Sequence, residues 1–142
     1  RAVAFKADFR PELLATADDV AKARANGVEL VDARPVSQFT GQAKSGVVAR
    51  PGAVPGAKNI PQSQFYSDQD GAFVAADVIE SLVADAGVSK DAKEITYCNT
   101  GHWASVAWFG LSEVMGNKNT AMYDGSMTEW AADPNREMVI PE

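Results

Sequence analysis

A single cysteine, Cys98, has the strongest potential for chemistry in this chain. It ends an apolar run, EITYC, and is followed by Asn-Thr-Gly and then by a sequence typical of a helix. In such a strand–loop–helix segment, loop N–H groups and the positive end of the helix dipole stabilise an anion. Gly101 gives the loop backbone the freedom to curl toward the sulfur. The segment therefore favours a thiolate nucleophile, and the alternative is a buried cysteine that only packs.

The segments around Cys98 alternate between apolar runs and amphipathic stretches with helix-capping signals. The predicted strands cover residues 28–33, 57–60, 94–98 and 120–123. The predicted helices lie between Thr16 and Gly27, over 75–86, over 103–115, and in a short segment that a capping-box pattern starts at Ser126. We expect Trp108 and Phe109 to be core residues of the helix after the cysteine.

This spacing is that of βαβ units, which predicts an α/β domain with an open, mostly parallel sheet and helices on both faces. Ligands bind such sheets at the carboxyl ends of the strands. The loops after Asp32, Cys98 and Tyr123 are therefore the candidate sites. Residues 1–15 are interpreted as an N-terminal arm or interdomain linker, and residues 16–142 as one domain.

The composition excludes several classes of function. The 142 residues include 13 Lys and Arg against 19 Asp and Glu, a net charge of −6, which argues against nucleic acid and anionic membranes as partners. The longest apolar stretch, 103–115, is too short and too polar to span a bilayer. A lone cysteine permits no internal disulfide and no multi-cysteine zinc site, and we expect neither a metal nor a cofactor.

Four segments of the chain resemble motifs of the rhodanese, or sulfurtransferase, superfamily, and the resemblance covers nearly the whole length. Residues 30–34 (LVDAR) resemble its first strand and Asp-x-Arg signature. Residues 52–61 resemble its Gly-His-Ile-Pro-Gly-Ala-x-Asn-Ile-Pro segment, with Ala53 in place of the histidine. Residues 98–103 resemble its six-residue active-site loop, and residues 123–130 resemble the segment after the last central strand.

The resemblance implies a rhodanese-like fold and a sulfurtransferase activity. The chain is similar to the catalytic second domain of members that carry two domains, which implies an upstream rhodanese-like domain as a partner. Cys98 would take a sulfane sulfur from a donor such as thiosulfate or mercaptopyruvate and hold it as a persulfide. Exported bacterial members exist, so the compartment stays open between cytoplasm and periplasm.

The absence of a second cysteine adds an inference to the persulfide that the resemblance implies. No internal disulfide can release the persulfide sulfur. The acceptor must therefore be external, and cyanide, a small thiol and a protein cysteine are the candidates.

The resemblance also assigns candidate site residues around Cys98. The active-site loop comprises Asn99, Thr100, Gly101, His102 and Trp103, and it contains no fixed positive charge. Gln38 and Lys44 would contact substrate, and Asp32 and Arg34 are expected to be structural residues near the site. Arg50 is expected at the same end of the sheet, where it is either an anion contact or a surface charge. Gln38 occupies the position of a family arginine, so a dianion such as thiosulfate should bind weakly.

Two loop residues keep alternative roles. His102 can act as an acid or assist the thiolate, or it can simply cap the loop. Trp103 can form a wall of the substrate pocket or meet a partner protein, or it can pack at the helix start.

Two other functions compete with sulfur transfer. Phosphatases of this fold need an arginine six residues after the cysteine, and Ala104 occupies that position, so an oxyanion would lack its main stabilising charge. The other alternative is a rhodanese-like sulfur carrier or protein-interaction module that does not turn over small donors.

Overall fold

The structure is a computed structural model that describes residues 3–142. Its strands are β1 (Glu29–Asp32), β2 (Lys58–Asn59), β3 (Tyr66–Ser67), β4 (Ala72–Phe73), β5 (Glu94–Tyr97) and β6 (Thr120–Met122). Four of them form a parallel sheet in the order β2-β1-β5-β6, and β3 pairs with β4 in an antiparallel hairpin. The predicted parallel α/β architecture is therefore confirmed.

The helices cover both faces of this sheet. They are α1 (Ala17–Lys22), α2 (Val36–Phe39), α3 (Ala76–Asp85), α4 (His102–Phe109) and α5 (Ser126–Trp130), with short 3₁₀ turns at Pro11–Leu13 and Gln62–Gln64. Successive side chains of a strand point to opposite faces. Ile95 and Tyr97 accordingly pack with α1 and α5, whereas Cys98 packs in a second cluster with α3 and α4.

The predicted helices and strands are present, with differences at their ends. Helix α1 begins at the predicted cap, since Asp19 N donates to Thr16 Oγ1 and Thr16 N donates to Asp19 Oδ2. The helix predicted over 103–115 is α4 followed by a π-helical turn, Gly110–Val114. Phe109 is 44 % exposed, so its prediction as a core residue is wrong. The physical reason is that this apolar segment packs on the sheet with one face only, and Phe109 lies on the other.

The two ends of the chain attach to the domain at its edges. Leu14 bridges Met122 of β6, and Ala15 N donates to Met122 O at 2.9 Å. The last part of the predicted arm thus joins the sheet, while residues 1–2 of that arm lie outside the described residues. Near the other terminus, Val139 and Ala53 exchange two backbone hydrogen bonds of 2.8 and 3.0 Å. Within residues 3–142, no helix has the length and apolar character needed to cross a membrane.

Candidate active site

Cys98 lies directly after β5, at the carboxyl end of the central strands, and is 1 % exposed. Its Sγ accepts a hydrogen bond from the backbone N–H of Gly101 at 3.2 Å. Gly101 has a φ of 92°, a left-handed conformation that turns its N–H back toward the sulfur and that side chains disfavour. Helix α4 begins at the next residue, so its positive end also lies at this loop. The predicted strand–loop–helix geometry therefore brings a donor onto the sulfur.

Ser126 holds the cysteine backbone from the neighbouring segment. Cys98 N donates to Ser126 Oγ at 3.1 Å, and Ser126 Oγ donates to Tyr123 O at 2.9 Å. Ser126 is fully buried and has a φ of 50°, the one positive φ of a non-glycine residue among residues 3–142. Its prediction as a helix cap is wrong, because the hydroxyl is bonded to Cys98 N and Tyr123 O and Gly125 precedes the helix instead.

The rest of the loop is bonded to the start of α5. Met127 N donates to Cys98 O at 3.0 Å. Thr128 donates twice to Asn99 O, from its backbone N at 3.0 Å and from its Oγ1 at 2.7 Å. These bonds fix the loop before any ligand arrives, which lowers the cost of orienting a reacting group. The sequence contained no separate signal for Thr128.

Cys98 lines a cavity of about 270 Å³. The other lining residues are Ser45, Asn99, Thr100, His102 and Trp103, of which His102 is exposed and Trp103 is partly buried. None of these lining residues is a lysine or an arginine, so the wall that they form carries no fixed positive charge. Four of the five predicted loop residues are thus brought together on the cavity, and Gly101 supplies the donor to the sulfur.

Gln38 lies beside the loop. Its Oε1 accepts a hydrogen bond from Asn99 Nδ2 at 2.8 Å. Asn99 Oδ1 is buried and has no hydrogen-bond partner among the described residues. The two neutral amides therefore share one hydrogen bond, and Asn99 Oδ1 is left without a donor. The role of Gln38 as a substrate contact stays a prediction.

Lys44 and Arg50 form hydrogen bonds with backbone carbonyls. Lys44 Nζ donates to Val48 O at 2.6 Å and lies next to Ser45 of the cavity wall. Arg50 donates to Ala131 O at 2.9 Å and to Asp133 O at 2.7 Å, beyond the end of α5. The Lys44 bond stays within its own loop, whereas the Arg50 bonds tie that loop to the segment after α5. Their roles as substrate contacts stay predictions.

Asp32 and Arg34 form a buried ion pair near the carboxyl end of β1. Arg34 Nη2 donates to Asp32 Oδ2 at 2.6 Å and to Gly52 O at 2.8 Å. Asp32 Oδ1 also accepts the backbone N–H of Arg34 at 2.9 Å. The two charges neutralise each other, and Arg34 also holds the backbone at Gly52. The structural role of the pair stays a prediction.

In this parallel α/β domain, the cysteine lies in a tight loop between a central strand and a helix. This arrangement is typical of sites that act through a cysteine. The chain belongs to the rhodanese-like domain family, whose sequence model matches residues 16–133.

Similar proteins carry names that refer to sulfur transfer. A protein of Haloferax volcanii named "Putative thiosulfate sulfurtransferase" is 42 % identical over 124 residues, which are 84 % of this chain and 43 % of that protein. The "Sulfur carrier protein TtuD" of Thermus thermophilus is 32 % identical over 129 residues, 86 % of this chain and 44 % of that protein. The chain thus spans less than half the length of these curated relatives.

Solved structures share the fold. The anaerobic ergothioneine biosynthesis enzyme from Chlorobium limicola, in complex with trimethyl histidine, superposes with a TM-score of 0.82 at 26 % identity. The match covers 91 % of this chain and 32 % of that enzyme.

Proposed function

We propose that this domain is a sulfurtransferase in which Cys98 carries the transferred sulfur as a persulfide. The observation that carries the proposal is the Gly101 N–H that donates to Cys98 Sγ at 3.2 Å on the wall of a cavity. A donor in this place can hold the negative charge that the sulfur carries when it attacks a donor and when it leaves a persulfide. The family membership and the names of the relatives support the same chemistry.

The reaction proceeds in two steps that balance in charge. In the first step the Cys98 thiolate attacks the outer sulfur of thiosulfate, a new S–S bond forms, and sulfite leaves with the electron pair of the broken S–S bond. In the second step an acceptor nucleophile takes the outer sulfur, and the bonding pair returns to Cys98 Sγ. With cyanide as acceptor the product is thiocyanate. The enzyme ends in its starting state, as in other ping-pong reactions.

The neutral cavity bears on the choice of donor. Thiosulfate carries two negative charges, and strong binding of such an anion needs charge-assisted donors. The cavity wall offers amides, hydroxyls, His102 and Trp103 instead. We therefore expect mercaptopyruvate or a small persulfide, which carry less charge at the reacting end, to load Cys98 at lower concentration than thiosulfate does.

A second function, a sulfur carrier that does not turn over small donors, is favoured by the same neutral cavity and by the relative named as a sulfur carrier protein. A carrier would accept one sulfur and then keep it until a protein acceptor arrives. An enzyme would release it to cyanide or to a small thiol repeatedly.

Intact-mass measurement tests the proposal directly. The protein is exposed briefly to thiosulfate, to mercaptopyruvate or to a small persulfide, each with and without cyanide. The expected result is a gain of one sulfur atom on the Cys98 peptide that cyanide reverses, with repeated turnover. Loading without turnover would favour the carrier, and a free thiol after every donor would overturn both functions.

A further inference from the structure

Three aromatic side chains form a cluster on the surface, here called the aromatic patch: Tyr66, Phe73 and Phe109. The rings of Phe73 and Phe109 lie 4.8 Å apart, and those of Tyr66 and Phe73 meet edge to face at 6.0 Å. Tyr66 is 38 % exposed and Phe109 is 44 % exposed. Exposed aromatic clusters of this kind are enriched where proteins bind other proteins.

The aromatic patch is continuous with the cavity through helix α4. His102 at the cavity and Phe109 in the patch are seven residues apart, so they lie on the same face of the helix. Eight residues of helix span about 10 Å between them. The same face carries exposed Ser105 and partly buried Val106. A partner seated on the patch would therefore stand beside the mouth of the Cys98 cavity.

The chain segment that supplies the patch is strongly acidic. Residues 59–89 include Tyr66 and Phe73 and contain no lysine, arginine or histidine. They carry five carboxylates, at Asp68, Asp70, Asp77, Glu80 and Asp85. Glu80 lies 4.0 Å from Lys90 Nζ and Asp85 ends α3, so Asp68 and Asp70 are the carboxylates placed beside the rings. Asp68 and Asp70 lie in the turn of the β3–β4 hairpin, between the strands that hold the two rings.

We propose that the aromatic patch is the docking surface for a basic protein that bears the acceptor thiol, an inference that rests on the proposed sulfur transfer. The acidic surroundings attract a cationic surface, and the rings offer an apolar anchor at its centre. A second copy of this chain would bring the same negative charges face to face, which disfavours it as the occupant. Because Cys98 is 1 % exposed, the partner must insert a thin group such as a cysteine side chain.

The transfer to this partner is a thiolate attack on the outer sulfur of the Cys98 persulfide. A new S–S bond forms on the partner, and the S–S bond to Cys98 breaks. The electron pair of the broken bond returns to Cys98 as a thiolate. The partner leaves as a persulfide, and no oxidant or reductant is consumed.

Probe peptides test the docking surface. One peptide carries a single cysteine, a tryptophan and several lysines, and the matched peptide has glutamate in place of each lysine. Cys98 is loaded with a small persulfide, and sulfur transfer to each peptide and to dithiothreitol is followed by mass. We expect the lysine peptide to react roughly tenfold faster than the glutamate peptide at low salt, and the advantage to shrink at high salt. Equal rates for both peptides would overturn the docking surface.

A charge variant and its matched control separate docking from the overall charge of the protein. Asp68→Lys/Asp70→Asn alters the patch, and the asparagine keeps an acceptor for the 2.7 Å bond from Ser67 Oγ. Asp85→Lys/Asp91→Asn makes the same change in net charge. Asp85 ends α3 and Asp91 precedes β5, so both residues lie at the opposite end of the sheet from the cysteine. The first variant should lose the preference for the lysine peptide, and the second should keep it. Equal loss in both would overturn the docking surface, because net charge alone would then attract the peptide.

Phe109→Ala tests the apolar anchor. We expect slower transfer to the lysine peptide and an unchanged rate with dithiothreitol, which still enters the cavity directly. Transfer to dithiothreitol in all variants shows that the sulfur chemistry itself is intact, so failure of the docking surface is distinguishable from failure of the proposed function. Analytical ultracentrifugation shows whether the protein forms a dimer. A dimer that dissociates in Phe109→Ala would overturn the proposal of a basic partner, because a second copy of the chain would then occupy the patch.

Discussion

Strand β5 carries a chemically distinctive side chain at each end, and the fold surrounds the two in different ways. At the carboxyl end, Cys98 accepts the Gly101 N–H and lies on a cavity. At the amino end, Glu94 is fully buried, and its Oε1 accepts from Asn117 Nδ2 and Thr120 Oγ1, both at 2.8 Å. Glu94 Oε2 has no partner among the described residues. Burial raises the pKa of Glu94 to about 7.

This comparison shows that a residue with a shifted pKa is not by itself a reaction site. The Glu94 carboxyl has a raised pKa because it is removed from water, and the negative charge of Glu29 on the paired strand raises it further. It is enclosed by the residues that bond it. Cys98 combines a nucleophilic atom, a backbone donor and an open cavity, and that combination is what a reaction requires.

Replacement of the nucleophile should have the largest effect. Cys98→Ser is expected to abolish sulfur loading from every donor, because a hydroxyl at neutral pH does not form the persulfide. Intact mass after exposure to each donor is the measurement. As a control, Ser105→Cys in the same background places an exposed thiol on α4, outside the loop, and this variant should stay inactive in turnover. Sulfur transfer retained by Cys98→Ser would remove Cys98 as the carrier.

Gly101→Ala should reduce loading by at least about tenfold. A side chain at a φ of 92° costs about 1–3 kcal/mol, and its Cβ would collide with the Asp124 carboxylate. The loop would have to move the N–H away from the sulfur. Gly116→Ala is the matched control, since Gly116 has a φ of 93° and an added methyl group there would meet no atom within 4 Å. Loading rates and thermal midpoints of both variants are compared, and equal loading in the two would mean that the Gly101 N–H does not matter.

Gln38→Arg should strengthen thiosulfate binding by about tenfold, the scale of a charge-assisted hydrogen bond to an anion. Gln38 already contacts Asn99 of the loop, and Asn99 Oδ1 lacks a donor that an arginine can supply. The apparent KM for thiosulfate is the measurement, with Gln38→Met as a control of similar length without charge. An unchanged or higher KM in the arginine variant would place the substrate elsewhere.

Glu94→Gln should leave sulfur transfer unchanged and alter stability alone. Between pH 4.5 and about 7 the folded protein holds a proton on Glu94 that the unfolded chain has released. The free energy of unfolding therefore falls as pH rises through this window, by about 3 kcal/mol from this group. Glu94→Gln should lack this contribution in urea titrations across the same pH range.

Glu29→Gln refines the same test. Removal of the neighbouring negative charge should lower the pKa of Glu94 and move the upper end of the pH window downward. If the parent and Glu94→Gln show the same dependence of stability on pH, the buried carboxyl is not the group that titrates. A loss of sulfur transfer in Glu94→Gln would contradict the conclusion that Glu94 affects stability alone.

Much of the fold was predictable because its signals are local. The cap at Thr16, the apolar runs of β1 and β5 and the alternation of strands and helices all act within a few residues. The predictions failed where the packing of the helices decided the outcome. Ser126 and the following residues match a capping box, but the hydroxyl is drawn to Cys98 N and Tyr123 O. Phe109 matches a core position, but it lies on the outer face of α4.

The residue order alone indicates that Cys98 ends a strand before a glycine loop, that these 142 residues contain no second cysteine, and that the loop has no fixed positive charge. These are properties of residue type and order. Only the tertiary structure decided that Ser126, Thr128 and Gln38 reach the loop, because hydrogen bonds between segments 28, 29 and 61 residues apart depend on how the strands are arranged side by side. The tertiary packing also brings the rings of Tyr66, Phe73 and Phe109 together, since two of them lie on the β3–β4 hairpin and the third lies on α4.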